Sequence, residues 1–261
     1  MSEAVWEKWR SARWSVIPES VEPPTFHVAL DDALLDAVAR GERGPTLRFW
    51  AWASPAVIIG RFQSFRNEVD KAAADQLGVT VVRRVSGGGA MYVRPGASIT
   101  YSLYVPDRLL AGLSIRESYA FCDSWVVAAL RELGADVAYQ PLNDIASPQG
   151  KVGGAAQARR PGGVLHHTTI AWHMNGAEML RVLRIGREKI SDKGIASAAK
   201  RVHPLSEQVA CSREDVVAAL DRGFRERVPC DDGAVTERER QAAGELVTRR
   251  FASPAWTLEL P

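Results

Sequence analysis

Apolar residues recur at Leu30, Leu34, Leu35 and Val38 after His27, a helical spacing that Gly41 closes. Leu47 to Trp52 and Val57 to Gly60 are short apolar runs joined through Ser54-Pro55, and both read as strands. A helix is predicted over 69–77, stopped by Gly78, and the β-branched run 79–85 is predicted as a strand. Ile99 to Val105 alternates like a half-buried strand. The longest predicted helix covers 114–133, where Ser114 and Glu117 have capping-box spacing and Gly134 follows the end. Further strands are predicted at 136–140, 151–156 and 164–172, and helices at 177–185, 212–225 and 236–251. Strands crowd the first two-thirds of the chain without regular strand–helix alternation. The pattern predicts an α+β fold, a mixed or largely antiparallel sheet with packed helices, rather than a doubly wound parallel sheet. With no internal repeat and no long linker in 261 residues, a single domain over residues 1–261 is expected.

Composition narrows the class. With 46% hydrophobic and 25% charged residues the chain is globular rather than disordered. Thirty-three basic and 31 acidic residues leave a charge of +2, so charge gives no ground for a nucleic-acid or membrane partner. No apolar run approaches the ~18–20 residues of a membrane span. The first residues lack a basic region followed by an apolar stretch, so no signal peptide is read. Cys122, Cys211 and Cys230 are scattered and lack metal-ligand spacing, which argues against a disulfide framework and a zinc site. The expectation is a soluble, cytoplasmic protein.

Three segments carry candidate chemistry. Arg83-Arg84-Val85-Ser86-Gly87-Gly88-Gly89-Ala90 runs a strand into three glycines, where free backbone N–H groups can cradle an anion and arginine forks can meet phosphate or carboxylate. It lacks the Gly-Lys-Ser/Thr ending of a Walker loop, and by itself it also reads as a glycine-rich hairpin with surface arginines. Asn143-Asp144 precedes Gly150-Lys151-Val152-Gly153-Gly154, where a lysine opening a glycine-bearing strand can set its ammonium against a bound acyl or phosphate group. Alone, Lys151 reads first as a solvated surface lysine. His166-His167 lies in an apolar strand, so alternation puts the two imidazoles on opposite faces and at most one faces a pocket.

Taken in order, these segments resemble the lipoate–protein ligase branch of the biotin/lipoate ligase superfamily. Ile59-Gly60-Arg61-x-Gln63, the Arg-Arg-x-Ser-Gly-Gly-Gly-Ala run, Gly150-Lys151-Val152-x-Gly154-x-Ala156-Gln157 and His166-His167-x-Thr169 follow the family's signatures. Lys193-Gly194-Ile195-x-Ser197 with Arg201, and Phe251-x-Ser253-x-x-Trp256, complete a series spanning roughly residues 26 to 256. The resemblance implies a catalytic domain that activates lipoate (or octanoate) with ATP and Mg2+ to an acyl-AMP, then passes the acyl group to a lysine of a lipoyl domain. It implies that Lys151 bridges acyl carbonyl and α-phosphate oxygens. Arg84, Gly89, Ala90, Met91 and Tyr92 would contact the nucleotide, and Gly87 and Gly88 would shape the acyl slot. Ser86, Asn143, Asp144, Gly154 and His167 join the expected binding set, and Lys193, Gly194 and Arg201 belong to the loop folding over the adenylate. Metal ligands are not assigned. Many relatives carry His-Asp where this chain has Val93-Arg94. The chain ends shortly after Trp256, so a separate small accessory polypeptide is expected to order the adenylate loop.

Biotin as substrate is disfavoured by the Arg-Arg-x-Ser-Gly-Gly-Gly-Ala and His-His-x-Thr patterns, and two other rivals stand beside the ligase. One is ATP-independent octanoyl or lipoyl transfer through a cysteine thioester, but the loop before Lys151 reads Asn143-Asp144-Ile145-Ala146-Ser147 and holds no cysteine. The other is a non-catalytic acyl-adenylate binding module, which has no need of Lys151.

Overall fold

A computed structural model describes residues 3–184 and 202–260. Its strands are β1 (Trp14–Glu22), β2 (Thr46–Trp52), β3 (Ala56–Ile59), β4 (Thr80–Arg83), β5 (Met91–Val93) and β6 (Ser98–Pro106). They continue with β7 (Ala138–Gln140), β8 (Asp144–Ser147), β9 (Gly150–Arg160), β10 (Gly163–Ala171) and β11 (Cys230–Asp232). The helices are α1 (Glu3–Arg10), α2 (Pro24–Ala39), α3 (Phe65–Glu68), α4 (Lys71–Gln76), α5 (Ile115–Glu132), α6 (Gly176–Val182), α7 (Arg213–Arg225), α8 (Glu237–Leu246) and α9 (Pro254–Thr257). An eight-stranded sheet has the order β11-β1-β2-β6-β10-β9-β8-β7, and a three-stranded sheet the order β4-β3-β5. β1 runs parallel to β2 and β11, while β2, β6, β10, β9, β8 and β7 pair antiparallel in succession. This is the mixed, largely antiparallel sheet of an α+β fold.

Both faces of the large sheet are covered, which is why every position of β2 and β6 is buried. On one face Trp9, Trp14, Phe121, Trp125 and Phe224 pack edge to face between α1, α5, α7 and the sheet. On the other, Leu30, Leu34, Trp50, Tyr104 and Phe251 join α2, the sheet and the C-terminal segment in a second core. The capping box forms as predicted: Glu117 N–H donates to Ser114 Oγ at 3.2 Å, and Ser114 N–H donates to Glu117 Oε2 at 2.8 Å. Among the described residues no helix is long and apolar enough to cross a membrane.

The structure departs from the local pattern in several places, among them residues 144–147, read as a loop but paired with β9 and β7 as strand β8. The predicted helix over 69–77 starts later, because Asp70 caps α4 by accepting from Ala73 N–H at 3.1 Å, while Val69 pairs with Leu183 in a β-bridge. β1 escapes the reading because Pro18 interrupts its alternation, and its pairing with β2 shifts register between Ile17 and Ser20. The last predicted helix, 236–251, divides into α8 and a wider π turn over Val247–Phe251.

Arg83 ties the C-terminal segment to the small sheet. Its guanidinium donates to the carbonyls of Gln63 (2.6 Å), Thr257 (2.8 Å), Gly60 (3.1 Å) and Trp256 (3.1 Å), and Trp256 Nε1 donates back to the Arg83 carbonyl at 2.8 Å. Arg83 is therefore a fully buried connector, with its fork spent on backbone oxygens rather than offered to a ligand.

Candidate active site

A cavity of about 310 Å³ lies between the two sheets. Val28 of α2, Trp50 and Trp52 of β2 and Ile58 of β3 give it apolar walls. The run from Gly89 to Arg94 forms a second wall, and the start of β9, Lys151 to Ala156, a third. His167 and Thr169 of β10 line the sheet side, and Met179 of α6 the opposite side.

Lys151 is positioned by a bulge. Asp144 pairs with Gly154 and Ile145 with Gly153, but Ala146 pairs with Lys151, so Val152 is the extra residue. The bulge brings Lys151 onto the face of Gly154 and Asp144, which regular alternation would deny it. Lys151 Nζ donates to Asp144 Oδ1 at 2.6 Å, with its side chain still 44% exposed. A Cβ on Gly154 would lie 2.6 Å from that ammonium, so the missing side chain is what admits it. Asn143 fixes the same strand from the side, its Nδ2 donating to the Ala155 carbonyl at 2.6 Å.

The glycine loop is held from beneath by Arg84. Its Nε donates to Ser86 Oγ at 2.9 Å, its Nη1 to the Ile58 carbonyl at 3.2 Å, and its Nη2 to the Gly87 and Gly89 carbonyls at 2.5 and 2.9 Å. Burial lowers its pKa to about 10, and the guanidinium stays charged at neutral pH. Gly88, at φ +86°, lets the loop turn onto Gly60, where its carbonyl occupies the space a Gly60 side chain would need.

Behind the loop stands a buried polar chain. Asp31 of α2 accepts at Oδ1 from Tyr104 Oη (2.5 Å), Arg48 Nη2 (2.8 Å) and Ser102 Oγ (2.9 Å), and at Oδ2 from His167 Nδ1 (2.7 Å). Burial by itself would push the Asp31 carboxyl up, but Arg48, then His167 and Tyr104, hold it well below the usual carboxylate range. Burial also lowers the pKa of His167, which is therefore neutral. With its Nδ1 proton on Asp31, His167 accepts at Nε2 from Ser86 Oγ at 2.7 Å. His166 points into the opposite core, where its Nε2 meets Asp123 Oδ1 at 2.9 Å. The alternation of the histidine pair is as the strand period requires.

Of the residues singled out from the sequence, Arg84, Gly89, Ala90, Met91 and Tyr92 line the cavity from one side, and Asn143, Lys151, Gly154 and His167 from the other. Ser86 and Asp144 stand one contact back, on His167 and Lys151. Gly87 and Gly88 do not line the cavity; they form the turn that packs towards Phe62 and Gly60. Lys193, Gly194 and Arg201 lie outside the described residues. Trp50, Trp52, Asp31 and Arg94 were not among the candidates; an acid in the helical apolar run of α2 was the one available hint of Asp31.

An apolar cavity with a lysine at its mouth and a glycine loop along one wall can take a carboxylic acid with a hydrocarbon tail beside an anionic group. Residues 23–225 match the model of the lipoyl protein ligase A/B catalytic domain, and the chain belongs to that family. It is 30% identical over 270 residues to octanoyltransferase LipM of Moorella thermoacetica, covering 93% of this chain and 97% of that one. It is 31% identical over 245 residues to lipoate-protein ligase A subunit 1 of Thermoplasma acidophilum, covering 89% and 91%. Among solved structures, the bi-partite lipoate protein ligase of Thermoplasma acidophilum, described with its E2 lipoyl domain, superposes with TM-score 0.84 at 29% identity over 95% and 98% of the chains. A lipoate-protein ligase A bound with ATP superposes with TM-score 0.81 at 27% identity over 96% and 99%. The chain is an enzyme of the lipoate ligase and octanoyltransferase family.

Proposed function

We propose that this chain is the ATP-dependent member of its family, a lipoate–protein ligase acting in the cytoplasm on lipoate or octanoate. The observation that carries the reading is Lys151, held by Asp144 over Gly154 at the mouth of an acyl-sized cavity whose described lining contains no thiol. Cys122 is buried in α5 with its pKa pushed far up by burial, and Cys211 and Cys230 are not among the cavity residues. The thioester route of the transferases has no nucleophile there.

In the first step a carboxylate oxygen of lipoate attacks the α-phosphorus of ATP. The new C–O–P bond forms as the bond to pyrophosphate breaks, and pyrophosphate leaves. The Lys151 ammonium neutralises charge shared by the carboxylate and α-phosphate oxygens, and the apolar walls keep water from the anhydride. In the second step the uncharged amine of an acceptor lysine attacks the acyl carbon. An amide forms, AMP leaves with the bond electrons, and the amine proton passes to solvent. Among the described residues no three His, Cys, Asp or Glu side chains converge as metal ligands. Mg2+ would enter with the nucleotide and screen charge on its phosphate oxygens.

The acceptor is a lipoyl domain, and a separate small polypeptide assists adenylate formation; both are supported by likeness to the bi-partite ligase. The test is lipoylation of a lipoyl domain by the purified chain together with its accessory polypeptide, supplied with lipoate with and without ATP, and with an octanoyl carrier thioester as alternative donor. The chain alone should activate free lipoate weakly or not at all. Modification is expected only with free acid and ATP. Efficient transfer from the thioester without ATP would move the chain to the transferase side.

A further inference from the structure

We propose that Arg94 is the binding residue for the outer phosphates of the nucleotide, an inference that rests on ATP being the activating substrate. The described cavity lining contains three arginine or lysine side chains, Arg84, Arg94 and Lys151. Arg84 is 4% exposed, and each of its three nitrogens already donates within the protein, so it shapes the loop and has little left for a ligand. Lys151 is committed by the proposed reaction to the acyl and α-phosphate oxygens. A nucleoside triphosphate carries about four negative charges at neutral pH, and with Mg2+ on its phosphates about two remain, still more than one ammonium can neutralise. A second cation with donors to spare is needed farther along the phosphate chain.

Arg94 meets that need. Its side chain is 42% exposed, and its one ion-pair partner among the described residues is Glu178, with Nη1 to Oε2 at 3.0 Å. Glu178 sits on α6, and the same Oε2 accepts from Tyr92 Oη at 2.7 Å. Tyr92 and Arg94 are two apart on an extended segment and so point to one face, towards α6 and the cavity. Arg94 is thus anchored at one nitrogen, and the rest of its planar fork remains for the paired non-bridging oxygens of a phosphate. Lys151 and Asp144 form a matching arrangement on the large sheet: a half-exposed cation held in place by one carboxylate. The two cations stand on different walls of one cavity, Lys151 on β9 and Arg94 just beyond β5. The triphosphate spans them, with its α-phosphate at Lys151 and its outer phosphates at Arg94.

Equilibrium binding tests this directly, because the fluorescence of Trp50 and Trp52 in the cavity wall reports occupancy without turnover. ATP and AMP are titrated into the wild-type chain, Arg94→Ala and Arg94→Lys. Arg94→Ala is expected to raise the Kd for ATP ~10-fold or more, the usual cost of losing a charge-assisted contact, while the Kd for AMP moves far less. Arg94→Lys keeps the charge without the fork and should recover part of the loss. If Arg94→Ala leaves ATP binding unchanged, or weakens ATP and AMP equally, the assignment of Arg94 is overturned while ATP use stands. A wild-type chain that binds neither nucleotide overturns both.

Discussion

Asp31 accepts the Nδ1 proton of His167 at 2.7 Å, and this one contact sets the state of the imidazole that faces the cavity. With Nδ1–H committed, Nε2 is left to accept from Ser86, and Ser86 in turn accepts from Arg84. The glycine loop is thus registered against a carboxylate on α2 through a chain of hydrogen bonds, each end of which is buried. Asp31→Ala should destabilise the fold by about 3–5 kcal/mol, because Arg48 is left as a buried charge without its partner. Urea denaturation measures this. A loss below about 1 kcal/mol would show that Arg48 finds compensation elsewhere.

Lys151→Ala should reduce both adenylate formation and acyl transfer ~100-fold or more, as expected for a charge-assisted contact made mainly in the transition state. Its side chain is half exposed, so the thermal midpoint should stay near that of the wild type. Near-normal turnover in the folded variant would remove Lys151 from the mechanism.

Gly154→Ala separates placement from charge. The added methyl would meet the far end of the Lys151 side chain, which can swing away without disturbing the strand. The expected result is unchanged stability with activity reduced ~10-fold or more, since a small misplacement of a reacting group is costly. Retained activity would show that Lys151 works from more than one position.

Replacing Cys122, Cys211 and Cys230 together by Ala or Ser should leave ATP-dependent activity in place, apart from a stability loss at the buried Cys122. Mass spectrometry after incubation with acyl donor provides the counter-test. An acyl thioester trapped on any of the three would overturn the ligase reading.

Acid should weaken the fold before it reaches the carboxylates. His27 is buried, its Nε2 donates to the Ala51 carbonyl at 2.7 Å, and its Nδ1 faces Arg48 at 3.4 Å. Burial first, and Arg48 second, bring its pKa down to about 3 from the ordinary 6.5. The folded protein keeps His27 neutral while the unfolded chain takes up a proton, so stability is fully present above pH 6.5 and falls as pH drops towards 3. Between pH 7 and pH 5 the loss from this residue is about 2 kcal/mol. His167, also lowered by burial, acts in the same direction. Denaturant titrations at the two pH values should show the drop, and His27→Gln should flatten it. An equal slope in the variant would clear His27 of the effect.

Chain order alone determined a good deal of this protein. Period-two alternation correctly parted His166 from His167, because a strand's geometry follows from its own neighbours. Ser114 and Glu117 announced α5 through contacts three residues apart. The glycine loop and the Gly-Lys-Val-x-Gly strand were legible as segments for the same reason. What those segments do to one another was decided only by tertiary structure. His167 meets Asp31 across 136 residues, and nothing near either position encodes the meeting. Arg83 and Arg84 read alike as phosphate forks, yet packing spends both on backbone carbonyls, since a buried guanidinium must satisfy its donors with whatever surrounds it. Lys151 reaches Asp144 because Val152 is bulged out of register, a feature set by pairing with β8 and invisible to the strand's own alternation. Local periodicity is written residue by residue; register, and with it the placement of charge in the cavity, belongs to the partner strand.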